Sequence, residues 1–162
     1  AGVEPAAPAG VAVADVTVTS RQLAPDSPIA VDNTCDGTDS MPGLEWSAVP
    51  PATRSIAIVV DDPDAPGGTF THFIVYGIPA DAHALKPDAV PAAPALVGKN
   101  DFGNVRWNGP CPPRGEEHTY RFQLYALDAP VGLPDGADRK QLAEAMNGHV
   151  IGRGTLSATF GH

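Results

Sequence analysis

The sequence predicts a mainly β domain, an all-β sandwich or an α+β variant of one. Three observations point that way. Short runs of apolar and β-branched residues recur along the chain, separated by turn residues. Glycine and proline number 17 and 18 in 162 residues, which suits many turns and short strands rather than long helices. One segment alone, about Asp138 to Asn147, reads convincingly as a helix, and it comes late.

The first ten residues, AGVEPAAPAG, are small, proline-rich and without periodicity. They read as a flexible leader, with residues 11–162 as a single domain. Val11 to Val18 is rich in β-branched residues and is expected to form a strand. Asp32 to Asp39 is a loop by composition, and Leu44-Glu45-Trp46 a short strand after Pro42-Gly43. Ser55 to Val60 is apolar on both alternating faces, as a central strand covered on both sides should be. Phe70 to Ile78 has the same character, and Gly67-Gly68 between the two suits a turn. Asp81 to Pro94, rich in alanine and proline, reads as an irregular crossover loop. His118 to Leu127 alternates: His118, Tyr120, Phe122, Leu124 and Ala126 share one face, and Thr119, Arg121, Gln123 and Tyr125 the other. In the helical segment Leu142 and Met146 are four apart, and Gly148 supplies the stop. Thr155 to Phe160 is expected as the final strand.

The formal net charge of −9 argues against a nucleic-acid backbone or an anionic membrane surface as main partner. A local basic spot remains open, since Arg106, Arg114 and Arg121 bracket Gly109 to Pro113. No run approaches the roughly 18 apolar residues of a membrane-spanning helix. The chain begins at Ala1, so the leader is expected to be a mature end left after signal removal, or else an arbitrary boundary. On the first reading the protein is secreted, periplasmic or held at the cell envelope; the alternative is cytoplasmic. Cys35 and Cys111 lie in loop-like segments and fit either free thiols or, in an exported protein, a disulfide.

The chemistry concentrates in Asp61-Asp62-Pro63-Asp64-Ala65-Pro66, where an apolar strand runs into three carboxylates interleaved with two prolines. Proline fixes its own φ and restricts the residue before it, so Asp62 and Asp64 are held in defined directions. His72 lies in the next strand and His118 opens a third. Taken singly, each histidine fits a satisfied core residue, and the acidic run fits a plain turn. Taken together, near strand ends, they suggest one polar pocket. Two histidines and an aspartate can also ligate zinc or iron, but the usual close His spacings are absent, and no metal or other cofactor is expected. No Gly-x-Ser-x-Gly nucleophile motif and no phosphate-cradling glycine loop before a helix occurs. His83, His149 and His162 lack sequence companions and read as surface residues.

Four segments, in order, resemble the phosphatidylethanolamine-binding proteins. Asp62-Pro63-Asp64-Ala65-Pro66 is similar to the family's first box. Gly109-Pro110-Cys111-Pro112-Pro113-Arg114-Gly115, followed by His118 and Tyr120, is similar to its second. Thr34-Cys35-Asp36-Gly37 with Leu44-Glu45-Trp46, and the ending Ala145 to Ile151, resemble the bacterial Raf kinase inhibitor-like branch. The likeness spans roughly residues 15 to 160. It implies a Greek-key β-sandwich of two antiparallel sheets with one C-terminal helix, and a small anion-binding pocket at one end. The implied lining is Asp62, His72, Gly109, Pro110, His118 and Tyr120, with Asp64 and Pro66 in support. Where the family often has Arg after the second histidine and Trp after the first, this chain has Thr119 and Phe73. Because Cys35 and Cys111 fall in the implied pocket-side segments, they are expected to lie close enough to bond.

In that pocket His72, His118 and Tyr120 would donate to a phosphate, and backbone N–H groups near Gly109 could approach it closely. Asp62, unable to donate when ionised, would orient a histidine or pair with a ligand ammonium. The function that follows is non-enzymatic binding of a small anionic or phospholipid head group, with modulation of a partner kinase or protease. The alternatives are a lyase, isomerase or cyclase using the Asp/His pocket for acid–base chemistry, and a secreted peptidase inhibitor.

Overall fold

The computed structural model describes residues 4–88 and 95–162. Its strands are β1 (Ala14–Asp15), β2 (Val18–Thr19), β3 (Leu44–Trp46), β4 (Ser55–Asp62), β5 (Phe70–Pro79), β6 (Ala84–Leu85), β7 (Leu96–Val97), β8 (Glu117–Leu127) and β9 (Val150–Gly161). One helix, α1 (Arg139–Met146), precedes β9, and a 3₁₀ turn covers Val31–Asn33. The strands form a six-stranded sheet, in order β1-β9-β8-β4-β5-β7, and a three-stranded sheet, β2-β3-β6. The domain is thus mainly β with two sheets and one helix. After β7 the chain returns as β8 to lie beside β4, giving the spatial order β8-β4-β5-β7 of a Greek key. Pairing is antiparallel except at β1, which runs parallel to β9.

Every residue of β4 is buried, because it is central and both of its faces are covered. One face, with Ile56, Ile58 and Val60, packs with Phe73, Phe122, Leu124 and the small sheet's Leu44 and Trp46. The other, with Ala57 and Val59, packs with Ile74, Tyr125, and Leu142 and Met146 of α1. The helix starts on an Asp138 capping box with Gln141. It ends before Gly148, whose φ of 84° only glycine adopts freely.

Three expectations change. Val11 to Val18 is not one strand: β1 pairs with β9 and β2 with β3, so the chain crosses between sheets at Val16. Gly154 permits the crossing, since a Cβ there would come within 2.1 Å of the Val16 carbonyl oxygen. The last strand starts at Val150 rather than Thr155. The expected crossover loop Asp81 to Pro94 contains β6, and its residues 89–94 lie outside the described residues. The leader, described from Glu4, is hydrogen-bonded at its middle to the end of α1 and the turn after it: Ala6 N–H donates to Asn147 Oδ1 at 3.0 Å, and Gly148 N–H to the Ala6 carbonyl at 2.9 Å.

Candidate functional site

Three neighbouring strands supply the polar residues. β4 ends on Asp62, β5 begins with Phe70-Thr71-His72, and β8 begins with His118 and Tyr120 on one face. Simple alternation would put His72 on the face opposite Phe73. The register prevents this: Val60 pairs with Phe73 but Asp61 pairs with Thr71, so His72 is the extra residue of a β-bulge. Phe73 stays in the core, and the His72 ring still reaches the same side, 5.5 Å from the Tyr120 ring. The His118 ring lies 6.5 Å from Tyr120 on its other flank. Asp62, His72, His118 and Tyr120 are therefore together.

The acidic turn is built to hold Asp62. Its Oδ1 accepts the Asp64 N–H at 2.8 Å, and Asp64 Oδ2 accepts the Thr119 N–H at 2.9 Å, tying the turn to β8. Pro66 is exposed and is the second residue of the Ala65–Gly68 turn, whose third, Gly67, has the positive φ that a Pro-Gly turn needs. His118 is nearly buried between two carboxylates: Nδ1 is 2.7 Å from Asp62 Oδ2, and Nε2 is 3.0 Å from Glu116 Oε1. Ionised carboxylates only accept, so both bonds require both ring N–H groups, the imidazolium form. Burial pulls the His118 pKa down, but the hydrogen bonds to Glu116 and Asp62 outweigh it and the pKa is raised. His72 is the opposite case. Burial dominates and lowers its pKa, against a bond to the Asn108 carbonyl and the more distant charges of Asp62 and Asp39. Its Nδ1 lies 2.7 Å from that carbonyl and must donate, which leaves Nε2 as the acceptor of a neutral ring. The two histidines thus do not share one environment: His118 is the more readily protonated of the two. The Tyr120 hydroxyl is buried and makes no well-formed hydrogen bond among the described residues, with Asp62 close enough for a weak one only. Burial, with the nearby Asp62 and Asp64, pushes its pKa well up, so it is a neutral donor.

The second wall is the segment 99–113. Asn100 is buried and binds the carbonyls of His72 and Arg106 and the side chain of Asn108, which holds the His72 partner in place. Gly109 does not offer its N–H to the pocket: that group donates to Asp39 Oδ1 at 3.0 Å. A Cβ at Gly109 would meet the same oxygen at 2.1 Å, so glycine here makes room for Asp39. Pro110 is buried, and its carbonyl accepts the Cys35 N–H at 3.1 Å. Cys35 and Cys111 are bonded, with Cα atoms 5.4 Å apart, fastening the Asp39 loop to this wall. His162 has companions after all: its Nδ1 lies 2.7 Å from Asp36 Oδ2, next to the disulfide. Cys35, Asp36 and His162 cluster closely, but the sulfur is bonded to Cys111 and has no thiolate to offer a metal. His149 pairs with Asp128 at 2.8 Å.

The neighbours of the pocket residues along each strand face the other way. Asp61 is fully buried and bound by Arg121 Nε at 2.8 Å and Nη2 at 2.9 Å, by Arg139 at 3.0 Å and by Gln123 at 3.0 Å. Arg121 therefore belongs to no basic spot beside Gly109. A cavity of about 550 Å³ opens on this side, between α1, Tyr125 and Glu4-Pro5, and another of about 560 Å³ lies along β2 and β9. Neither is lined by His72 or His118. The residues that sequence reading missed are Asp39, Asn100, Asn108 and Glu116. Asp39 carried a faint signal, since Asp is among the few residues that accept the left-handed φ of 56° it adopts. The others are fixed by contacts that no local pattern records.

Comparison with known proteins follows the same lines. The profile of the family described as phosphatidylethanolamine-binding protein matches residues 19–161. A UPF0098 protein of Aquifex aeolicus is 43% identical over 149 residues, covering 88% of this chain and 86% of that one. A candidate lipoprotein of Mycobacterium tuberculosis, LppC, is 39% identical over 146 residues, covering 90% and 72%. Among solved structures, Escherichia coli YbcL, described as a new member of the mammalian PEBP family, superposes with a TM-score of 0.86. It has 30% identity and covers 92% of this chain and 99% of that one.

Proposed function

This chain belongs to the phosphatidylethanolamine-binding protein family, and on that premise we propose that it binds, without turnover, a small phosphate-type anion. The ligand sits against His118, Tyr120 and His72, with Asp62 holding His118 charged. The observation that carries this reading is the Tyr120 hydroxyl. A buried donor left unpaired costs about 1–3 kcal/mol. Here it lies between one cationic and one neutral histidine, where an anion would satisfy it. Neutral His72 offers an acceptor at Nε2, which suits a protonated phosphate oxygen or a ligand ammonium. Asp64 and Pro66 support the site, Pro110 walls it, and Gly109 acts through Asp39.

Calorimetric titration with inorganic phosphate and with phosphoethanolamine tests this. His118→Ala should weaken both by about tenfold or more, and Tyr120→Phe by several-fold. Equal affinity in wild type and His118→Ala would remove the pocket's main support. The disulfide supports a location outside the reducing cytosol, in line with LppC, so the proposal places the protein at the cell envelope or beyond.

A second reading has one observation in its favour. A charged His118 and a neutral His72 in one pocket form an acid and a base together, as acid–base chemistry on a small metabolite requires. Turnover that disappears in both His72→Gln and His118→Gln would replace binding by catalysis.

A further inference from the structure

Of the two acids on His118, one is fixed and the other is releasable. Asp62 is buried, with a side chain 5% exposed, and is pinned through Asp64 to β8. Glu116 is not. Its side chain is 52% exposed, it rises from the Arg114-Gly115 turn, and its bond to His118 Nε2 is its one side-chain hydrogen bond among the described residues. Nε2 is also the nitrogen through which His118 would meet a ligand, because Nδ1 is committed to Asp62. The unbound site is thus filled by an anion of its own. The groups facing His118 are Asp62 from β4, Glu116 from the turn, and Tyr120 from its own strand, with His72 of β5 on the far side of Tyr120.

We propose that Glu116 is a built-in competitor of the site, holding the anion position on His118 until a ligand displaces it. The idea rests on the binding reading given above. Displacement by a carboxylate exchanges one carboxylate for another at Nε2, with little net gain. A phosphate monoester or inorganic phosphate brings more charge and further acceptor oxygens, and one of these can take the Tyr120 hydroxyl. The cost of displacing Glu116 is the same for every anion, so only one whose own contacts exceed it is held. No covalent bond is made or broken in this exchange. Glu116 swings into water, where an exposed carboxylate is well solvated.

The experiment is calorimetric titration with inorganic phosphate and, separately, with acetate, at about pH 6.5. It uses wild type, Glu116→Ala, Glu116→Gln and His118→Ala. Glu116→Ala should bind both phosphate and acetate roughly tenfold more tightly than wild type. Glu116→Gln, which keeps the shape without the charge, should fall between Glu116→Ala and wild type. Glu116 stands on an exposed turn, so both variants should fold, and an unchanged melting temperature verifies this. Unchanged affinity for both anions in Glu116→Ala, with phosphate binding lost in His118→Ala, overturns the proposal and leaves the pocket standing. Phosphate binding that survives His118→Ala overturns both.

Discussion

Asp61 and Asp62 are adjacent on one strand, equally buried, and serve opposite faces of the sheet. Asp61 meets two guanidinium groups and an amide, all permanent donors, and both of its oxygens are occupied. Asp62 meets a histidine, which titrates, beside a tyrosine hydroxyl with no well-formed hydrogen bond. The same division runs through the other strands: Thr71 faces Arg139 while His72 faces Tyr120, and Arg121 faces Asp61 while Tyr120 lies between the two histidines. A buried charge with fixed, complete partners holds a fold together. A buried charge with a titratable partner and an unsatisfied neighbour is equipped to receive something.

Five variants probe that contrast, and the largest effect falls on the structural side. Asp61→Asn leaves Arg121 and Arg139 without their countercharge, and should cost about 3 kcal/mol. The melting temperature should drop by roughly 10 °C in a thermal unfolding scan. Asp62→Asn should cost about 1 kcal/mol, because His118 can shed its proton, while phosphate binding is lost. Equal losses of stability in the two variants would erase the distinction between the faces.

Next in size is the disulfide. It joins residues 76 apart in sequence and fastens the Asp39 loop to the Gly109 wall. Chain entropy assigns such a link about 4 kcal/mol, and measured values commonly run lower. The Cys35→Ser, Cys111→Ser double variant should therefore melt several degrees lower, roughly 5–10 °C. An unchanged melting temperature would mean that the loop is held by its hydrogen bonds alone.

The smallest effect is in the pH dependence of stability, where the two histidines should pull in opposite directions. The His118 pKa is raised on folding. Its contribution is complete below the unfolded value of about 6.5 and is lost as pH rises through the higher folded value. The His72 pKa is lowered, so its contribution is complete above about 6.5 and is lost as pH falls through the lower folded value. Melting temperatures across this range should show the alkaline-side loss vanish in His118→Gln and the acid-side loss vanish in His72→Gln. The same slope in both variants would show that the two rings share one environment.

How far the sequence foretold this arrangement depends on the range of the signal. The apolar run of β4, the alternation of β8 and the capped helix are local patterns, and they appear where periodicity placed them. The shared face of His118 and Tyr120 follows from alternation alone. The position of His72 does not, because a bulge is a property of the pairing between β4 and β5 rather than of either strand. The division of Val11 to Val18 between two sheets depends on Gly154, far away in the chain. Asp39 and Glu116 came from no motif. The glycine of the second box pointed to a close approach, and the group that approaches is Asp39.

The central claim is that His118 is the charged anion receptor and His72 its neutral neighbour. NMR titration of the two imidazole rings, with and without inorganic phosphate, tests it most directly. The account predicts a His118 midpoint above the ordinary value of about 6.5 and a His72 midpoint below it. Phosphate should move the His118 midpoint further upward. Two rings that titrate together, or a His118 midpoint that phosphate leaves in place, would contradict it.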